Sequence, residues 1–143
     1  MLFDGYDSME LTPSNGFGFV YVLCWKQKGK EVPFYVGQTQ AIWGRMNDYH
    51  WAEFQANTDF RVGQAVRYLA EKKLSVVVKY KQSAPIERDR VKEEQQIISI
   101  LKNDGRTLLN HRRTPYEYST DDPEAVIKEI RKVVDEILAS AQD

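Results

Sequence analysis

The sequence predicts an α+β protein in which a small three-stranded sheet is flanked by helices, and three patterns carry this prediction. Two runs rich in β-branched and aromatic residues lie near positions 20 and 35, with a polar turn between them. A valine-rich run follows after position 74. Elsewhere apolar residues recur every three to four positions, as in amphipathic helices. With 143 residues, 42% apolar and 29% charged, the chain is long enough for one domain with a core.

The first two strands are expected to form a hairpin. Residues 19–25 resemble a buried strand, 26–31 form a polar turn, and 34–36 form a second short strand. Residues 1–16 precede them and contain Pro13, Asn15 and Gly16, which disfavour regular structure. The sequence therefore predicts an irregular N-terminal segment, followed at once by a β-hairpin.

Two helices and a third strand follow the hairpin. The spacing predicts a helix over 41–51 and a second helix over 60–73, with Asp59 as its N-terminal cap. Residues 74–80 predict the third strand. The apolar face of the first helix carries Ile42, Met46 and Tyr49, and that of the second carries Val62, Ala65, Val66 and Leu69.

The last third of the chain predicts two further helices. One spans 87–102 and ends at 103–105, and residues 108–110 follow as a short extended piece. The final helix, over 123–139, begins at a proline with Asp122 as its cap. Its apolar stripe consists of Val126, Ile130, Val133, Val134, Ile137 and Leu138. The pattern leaves two interpretations open, since such a stripe can dock on the body or form a partner or homodimer face.

Charge is distributed unevenly although the net charge is only −1. Residues 121–143 hold seven acidic and three basic residues, which gives −4, and residues 1–16 hold three acidic residues, which gives −3. Residues 17–120 therefore carry +6. A basic body between acidic ends can hold a phosphate backbone, although random surface charge explains the same numbers.

Composition excludes several other classes. Cys24 is the single cysteine, so an internal disulfide and a cysteine-rich zinc site are both excluded. No apolar run is long enough for a membrane helix, and the acidic N-terminus does not resemble a secretory signal. We therefore expect a reduced cytoplasmic protein, associated with the nucleoid, or nuclear in a eukaryote, if DNA is its partner.

An acidic residue interrupts the apolar stripe of the 87–102 helix. At about 100° per residue, Glu94 projects from the middle of this stripe, whereas Glu93 lies at its edge. The stripe itself consists of Val91, Ile97, Ile98 and Leu101. A carboxylate that faces a core needs a cation opposite it, either an arginine or a bound metal such as Mg²⁺. The helix alone supports an internal ion pair and a functional site equally.

Aromatic hydroxyl groups and basic side chains are concentrated in the first third of the domain. Tyr21 and Tyr35 lie on the two strands of the hairpin, and Arg45 and His50 lie on the helix that follows. Each of these side chains alone is typical of packing or of a solvated surface. Their order along the chain, followed by the carboxylate of Glu94, favours a functional site.

These residues resemble the GIY-YIG nuclease superfamily. The segment 19–21, Phe-Val-Tyr, resembles the GIY element, and 35–39, Tyr-Val-Gly-Gln-Thr, resembles the YIG element with its polar continuation. Arg45 stands eight residues after Gly37, at the spacing of the family arginine, and Asn110 resembles the family asparagine. Phe19 replaces the first glycine of the family motif. The matched region lies within 17–120 and leaves out both the N-terminal segment and the 121–143 helix.

The resemblance implies a three-stranded antiparallel sheet in the order β-β-α-α-β-α, and it implies roles for individual residues. Tyr21 would act as general base or orient the attacking water, helped by His50, and Tyr35 would hydrogen-bond that water or a phosphate oxygen. Arg45 would grip the phosphate, with Gln38 and Thr39 as further substrate contacts. Glu94 would hold one Mg²⁺ or Mn²⁺, and Asn110 would orient a neighbour or support the fold.

The function implied is metal-dependent hydrolysis of DNA phosphodiester bonds, which leaves 5′-phosphate and 3′-hydroxyl ends. A free tyrosine has a pKa of about 10, so Arg45 and the metal would have to lower the pKa of Tyr21, or Tyr21 would only relay a proton. Two alternatives remain: a catalytically idle nucleic-acid-binding module of the same fold, and an interaction protein in which these residues only pack.

Overall fold

The structure is a computed structural model that describes residues 2, 4–8, 18–51, 57–111 and 122–140, with backbone alone at 51, 57–59 and 111. Most of the predicted irregular segment 1–16 therefore lies outside the described residues. The described elements confirm the predicted α+β fold. They are β1 (Gly18–Gln27), β2 (Lys30–Thr39), α1 (Ile42–Trp51), α2 (Asn57–Glu71), β3 (Val76–Ser83), α3 (Glu87–Asn103), a 3₁₀ helix (Leu109–His111) and α4 (Pro123–Ser140).

The hairpin between β1 and β2 is tighter than the sequence predicted. Its turn consists of Lys28 and Gly29, both at positive φ (51° and 77°), as short hairpin turns require. Both strands therefore extend into the polar segment that we expected to be a longer turn. The ladder shifts register between Leu23 and Cys24, opposite Pro33, whose nitrogen has no hydrogen to donate.

The three strands form one antiparallel sheet in the order β2-β1-β3, so β1 is central. Side chains alternate between its faces. Tyr21, Leu23 and Trp25 point into the main core, which α1, α2 and α4 cover. The opposite face is covered by α3, which contacts β1 and β2. The sheet is thus enclosed by helices on both sides.

The C-terminal helix docks on the body of its own chain. The side chains of Val126, Ile130, Val133, Val134 and Ile137 are buried, and α4 packs chiefly against α2. Asp122 caps the helix as predicted, because its Oδ1 accepts the backbone N–H groups of Glu124 and Ala125 at 3.1 and 3.3 Å. Of the two interpretations of the stripe, the structure favours docking over an open partner or dimer face.

Several local predictions were wrong. Asp59 lies inside α2, which begins at Asn57, so it is not the cap. Residues 108–110 were predicted to be extended, but 109 and 110 belong to the 3₁₀ helix. The apolar stripe of α3 is only partly covered, because Val91 is 37% exposed and Arg90 is the buried residue of that helix.

No helix among the described residues is long and apolar enough to cross a membrane.

The contact between α1 and α2 requires a glycine, which gives a stability test. A Cβ atom at Gly63 would overlap the backbone carbonyl oxygen of Tyr49, so Gly63→Ala should force the helices apart and cost about 1–3 kcal/mol of unfolding free energy. At Gly44, in α1, the nearest atom is the Ala41 Cβ at 3.6 Å. Gly44→Ala should therefore be neutral or stabilise by up to about 1 kcal/mol. Urea unfolding of both variants measures the difference, and equal midpoints would contradict this account of α1–α2 packing.

Candidate active site

Three tyrosines meet on the core face of the sheet. Tyr21 on β1, Tyr35 on β2 and Tyr49 on α1 have ring centroids 6.3 to 6.5 Å apart. The hydroxyl groups of Tyr21 and Tyr49 share a short, buried hydrogen bond. Tyr21 and Tyr49 are only 2% and 6% exposed, whereas Tyr35 is half-buried. The first two therefore form the floor of the cluster, and Tyr35 lies nearer the surface.

The position of the Tyr21 ring depends on Gly37. The two residues are directly paired across β1 and β2. A Cβ atom at position 37 would overlap the phenol oxygen and ring of Tyr21, so the ring lies across the bare backbone of β2. Because β2 is an edge strand of the sheet, this directs the Tyr21 hydroxyl toward the sheet edge. The glycine of the Tyr-Val-Gly segment is thus needed for space.

Two charged side chains shift the pKa of Tyr21 in opposite directions. The positive charge of Arg45 lowers the pKa of Tyr21, and the negative charge of Glu94 raises it. Arg45 also lowers the pKa of Tyr49, which lies one turn further along α1. Arg45 and Glu94 are both half-buried. Tyr35, Arg45 and Glu94 are therefore each close enough to Tyr21 to shift its pKa.

Burial has the largest effect on the pKa values of Tyr21 and Tyr49. It raises the pKa of Tyr21 above the usual value of about 10, and the neighbouring Tyr35 raises it further. Burial also raises the pKa of Tyr49, followed by the effects of Tyr35 and Tyr21. Their hydrogen bond lowers the pKa of Tyr21 and raises that of Tyr49. Both phenols are protonated at neutral pH, because Arg45 by itself does not offset the effect of burial on the pKa of Tyr21.

Tyr49 is the residue that the sequence analysis missed. The helix pattern places Tyr49 on the apolar face of α1, and the family resemblance implies that His50 helps Tyr21. In the structure the side chain of His50 is exposed, and its backbone carbonyl oxygen accepts a hydrogen bond from Arg67 at 3.0 Å. Tyr49 lies four residues after Arg45, the spacing that places two side chains on one helix face. That spacing is the feature of the sequence that could have identified Tyr49. In the structure the hydroxyl group of Tyr49 lies beside that of Tyr21.

A buried arginine ties α3 to the sheet. Arg90 is 3% exposed, and its Nε donates to Oε1 of Gln38 at 2.9 Å. Its Nη1 donates to the carbonyl oxygens of Ala84 and Pro85 at 3.1 and 2.6 Å. The side chain also lies against Gly18, where a Cβ atom would overlap it. These contacts hold the first turn of α3 against the strands, one turn before Glu94.

The side chains of Gln38 and Thr39, for which the resemblance implies substrate contacts, make contacts within the fold. The side-chain oxygen of Gln38 accepts the hydrogen bond from Arg90, and Oγ1 of Thr39 accepts the backbone N–H of Ala41 at 3.1 Å. Thr39 is also buried. Both side chains stabilise the strand end and the start of α1, and their contact with substrate stays a prediction.

Asn110 supports the edge of the sheet. Its Oδ1 accepts the backbone N–H of Val36, and its Nδ2 donates to the carbonyl oxygen of Val36, both at 2.8 Å. The side chain thus supplies the hydrogen bonds that a neighbouring strand would make. Of the two roles expected for Asn110, the geometry favours support of the fold, directly beside Tyr35.

The two neighbouring glutamates of α3 have different surroundings. Glu93 forms an ion pair with Lys81 at 2.8 Å and accepts a hydrogen bond from Ser83 at 2.5 Å. The hydrogen bond from Lys81, followed by that from Ser83, lowers the pKa of Glu93. Glu93 therefore links α3 to β3. Glu94 instead raises the pKa of Tyr21, and its role as the metal ligand stays a prediction.

The donor set fits a metal that needs few protein ligands. Among the described residues no cluster of three or more metal-ligating side chains is present. Glu94 offers one carboxylate near the tyrosine cluster. Mg²⁺ commonly takes one or two carboxylates and completes its coordination with water and substrate phosphate oxygens. A single magnesium or manganese ion, bound by Glu94 together with a phosphate, therefore stays a prediction.

Comparisons of this chain with protein-family models, with curated proteins and with solved structures found no match.

The raised pKa values of the buried tyrosines predict a loss of stability in alkali. Below about pH 10 these groups are protonated in both the folded and unfolded chain. Above it the unfolded chain ionises while the folded protein does not, so each tyrosine should cost about 1.4 kcal/mol per pH unit. Tyr49→Phe removes one of the two groups, so its stability should fall less steeply.

Urea unfolding between about pH 9 and 11 measures this slope. Tyr6→Phe, which removes a phenol that is exposed in the folded protein, is the matched control and should keep the wild-type slope. If Tyr49→Phe also keeps that slope, Tyr49 ionises freely in the folded state, and the burial argument is wrong.

Proposed function

We propose that this protein is a metal-dependent endonuclease of the GIY-YIG type that hydrolyses phosphodiester bonds in DNA. The observation that carries the proposal is the convergence of a guanidinium, a carboxylate and three phenols. Arg45 and Glu94 both act on the buried Tyr21 hydroxyl, and Tyr35 lies beside it. Hydrolysis of a phosphodiester needs groups of these types, namely a cation for the phosphate, a ligand for a metal, and hydrogen-bonding groups for the attacking water.

The half-buried members of the cluster would contact substrate first. The fork of Arg45 suits the non-bridging oxygens of a phosphate, which two N–H groups can hold together. The hydroxyl of Tyr35 would hydrogen-bond the attacking water or a phosphate oxygen. Both side chains keep part of their surface accessible to solvent, so neither needs a rearrangement of the core to reach DNA.

The buried pair has a different role because both phenols are protonated. A protonated Tyr21 would not act as a stored phenolate base. Its hydroxyl group would instead orient the attacking water, and the hydrogen bond to Tyr49 would hold that hydroxyl group in place. Tyr49 thus replaces His50 as the proposed helper of Tyr21.

Glu94 would hold the divalent ion together with the substrate phosphate. When bound, Mg²⁺ or Mn²⁺ would supply positive charge beside the leaving 3′ oxygen, which favours 5′-phosphate and 3′-hydroxyl products. Arg90 would keep the beginning of α3 fixed against β2, so that the carboxylate of Glu94 stays near the phosphate held by Arg45.

A second candidate is a nucleic-acid-binding module of this fold that does not cleave. One observation favours it: Tyr21 is 2% exposed, so its hydroxyl meets substrate only if the site opens. Incubation of supercoiled plasmid with Mg²⁺, and with EDTA as the control, separates the two candidates. Nicked or linear product in Mg²⁺ alone supports the nuclease, whereas a salt-dependent gel shift without product supports the binding module.

Removal of the Tyr21 hydroxyl tests the central role of this residue. Tyr21→Phe should abolish cleavage and keep DNA binding, because Arg45 is unchanged. The variant leaves the Tyr49 hydroxyl without this partner, which costs about 1–3 kcal/mol of stability. The double variant Tyr21→Phe, Tyr49→Phe removes both hydroxyl groups and is the stability control. Wild-type turnover in a folded Tyr21→Phe protein would exclude Tyr21 from the chemistry.

The two glutamates of α3 provide a matched pair for the metal. Glu94→Ala should lose activity and Mg²⁺ dependence together, because it removes the carboxylate that acts on Tyr21. Glu93→Ala removes the ion pair with Lys81, which lies on the surface, and should change activity by less than about threefold. Cleavage measured across a Mg²⁺ titration distinguishes the variants. If Glu93→Ala lost activity and Mg²⁺ dependence while Glu94→Ala kept them, the metal would be assigned to Glu93.

A further inference from the structure

Two large aromatic side chains lie exposed beside the candidate active site. Trp43, in the first turn of α1, is 74% exposed, and Tyr80, on β3, is 52% exposed. Their rings meet edge to face with centroids 6.3 Å apart, and Tyr80 in turn contacts Phe19 at 6.2 Å. We call these three residues, Phe19, Tyr80 and Trp43, the aromatic platform. Contiguous exposure of large aromatic side chains is typical of a binding surface.

The platform continues the face of the sheet on which the candidate site lies. Tyr80 pairs with Tyr21 across β3 and β1, and Tyr21 pairs with Gly37 on its other side. Strands in a sheet are about 4.8 Å apart, so Tyr80 lies about 10 Å from Gly37. Trp43 and Arg45 both lie on α1, and because they are two residues apart their side chains leave the helix on different flanks. The distance of about 10 Å between Tyr80 and Gly37 corresponds to about three nucleotide steps along a stacked DNA strand.

The chemistry of the platform favours a nucleobase as its occupant. A flat ring that is open on most of its surface can stack on a base, and every base offers such a face. A protein partner needs about 800 Å² on each side, whereas the two exposed rings offer only about 300 Å². A base in an intact duplex is already stacked on its neighbours, so only an unpaired base is free to use the platform.

We propose that the aromatic platform binds an unpaired base close to the scissile phosphate, so that the substrate is DNA with a single-stranded or branched segment. This inference rests on the proposed function and names its substrate class. Arg45 would hold the phosphate while Trp43 stacks on a base a few nucleotides away. The protein would therefore select DNA by its structure, with no need for contacts that read the sequence of bases.

The test compares a flush duplex with the same duplex carrying a short single-stranded flap, both in EDTA so that binding is measured without cleavage. The wild-type protein should bind flapped DNA more tightly. Trp43→Ala should weaken that binding about tenfold and leave the flush duplex unaffected. Ile100→Ala, which removes an exposed apolar side chain of α3, is the matched control and should bind as the wild type does.

Tryptophan fluorescence gives a second readout in the same titration. Trp25 is fully buried, and the difference between wild type and Trp43→Phe isolates the signal of Trp43. Flapped DNA should quench this signal and flush duplex should not. Trp43→Phe keeps a ring and should retain part of the preference for the flap, whereas Tyr80→Leu should lose part of it.

Three results would overturn the inference. If Trp43→Ala binds flapped DNA as tightly as the wild type while Arg45→Ala loses binding, the platform has no role and the proposed nuclease function remains. If Trp43→Ala changes only the self-association of the protein in sedimentation, the platform is a contact between copies. If neither DNA binds the wild type, the proposed function and the platform both fail.

Discussion

The Tyr21 ring packs directly against the backbone of Gly37, where a Cβ atom would overlap it. Because residue 37 has no side chain, a large ring lies flat across an edge strand, and its hydroxyl meets that of Tyr49 from the helix above. Any larger residue at this position would push the ring away and separate the two phenols. The geometry of the tyrosine cluster, and with it the proposed chemistry, depends on this one small residue.

The same close packing explains the protonation of the site. A phenol enclosed between a strand and a helix loses the water that would stabilise its anion, and burial therefore outweighs the nearby guanidinium of Arg45. In the proposed mechanism such a phenol would orient the attacking water and would not act as a stored base. The charge would come from Arg45 and Glu94, which are both half-buried.

Helix α3 shows how polar contacts can replace apolar packing. Its apolar stripe is only partly covered, and the buried Arg90 holds it to the sheet through a side-chain amide and two backbone carbonyl groups. A guanidinium with several hydrogen bonds fixes orientation more strictly than an aliphatic contact does. Asn110 fixes the edge strand in a similar way. The fold thus uses two polar side chains to place the strand and the helix that carry Tyr35 and Glu94.

The sequence by itself determined the order of strands and helices and the capped C-terminal helix, because periodicity and local capping depend on neighbouring residues. Only the tertiary structure decided that the hydroxyl group of Tyr49 meets that of Tyr21, that Arg90 is buried, and that Gly37 is needed for space. These facts depend on contacts between residues 16 to 52 positions apart, and no local pattern encodes the distance between two side chains that the folded chain alone brings together.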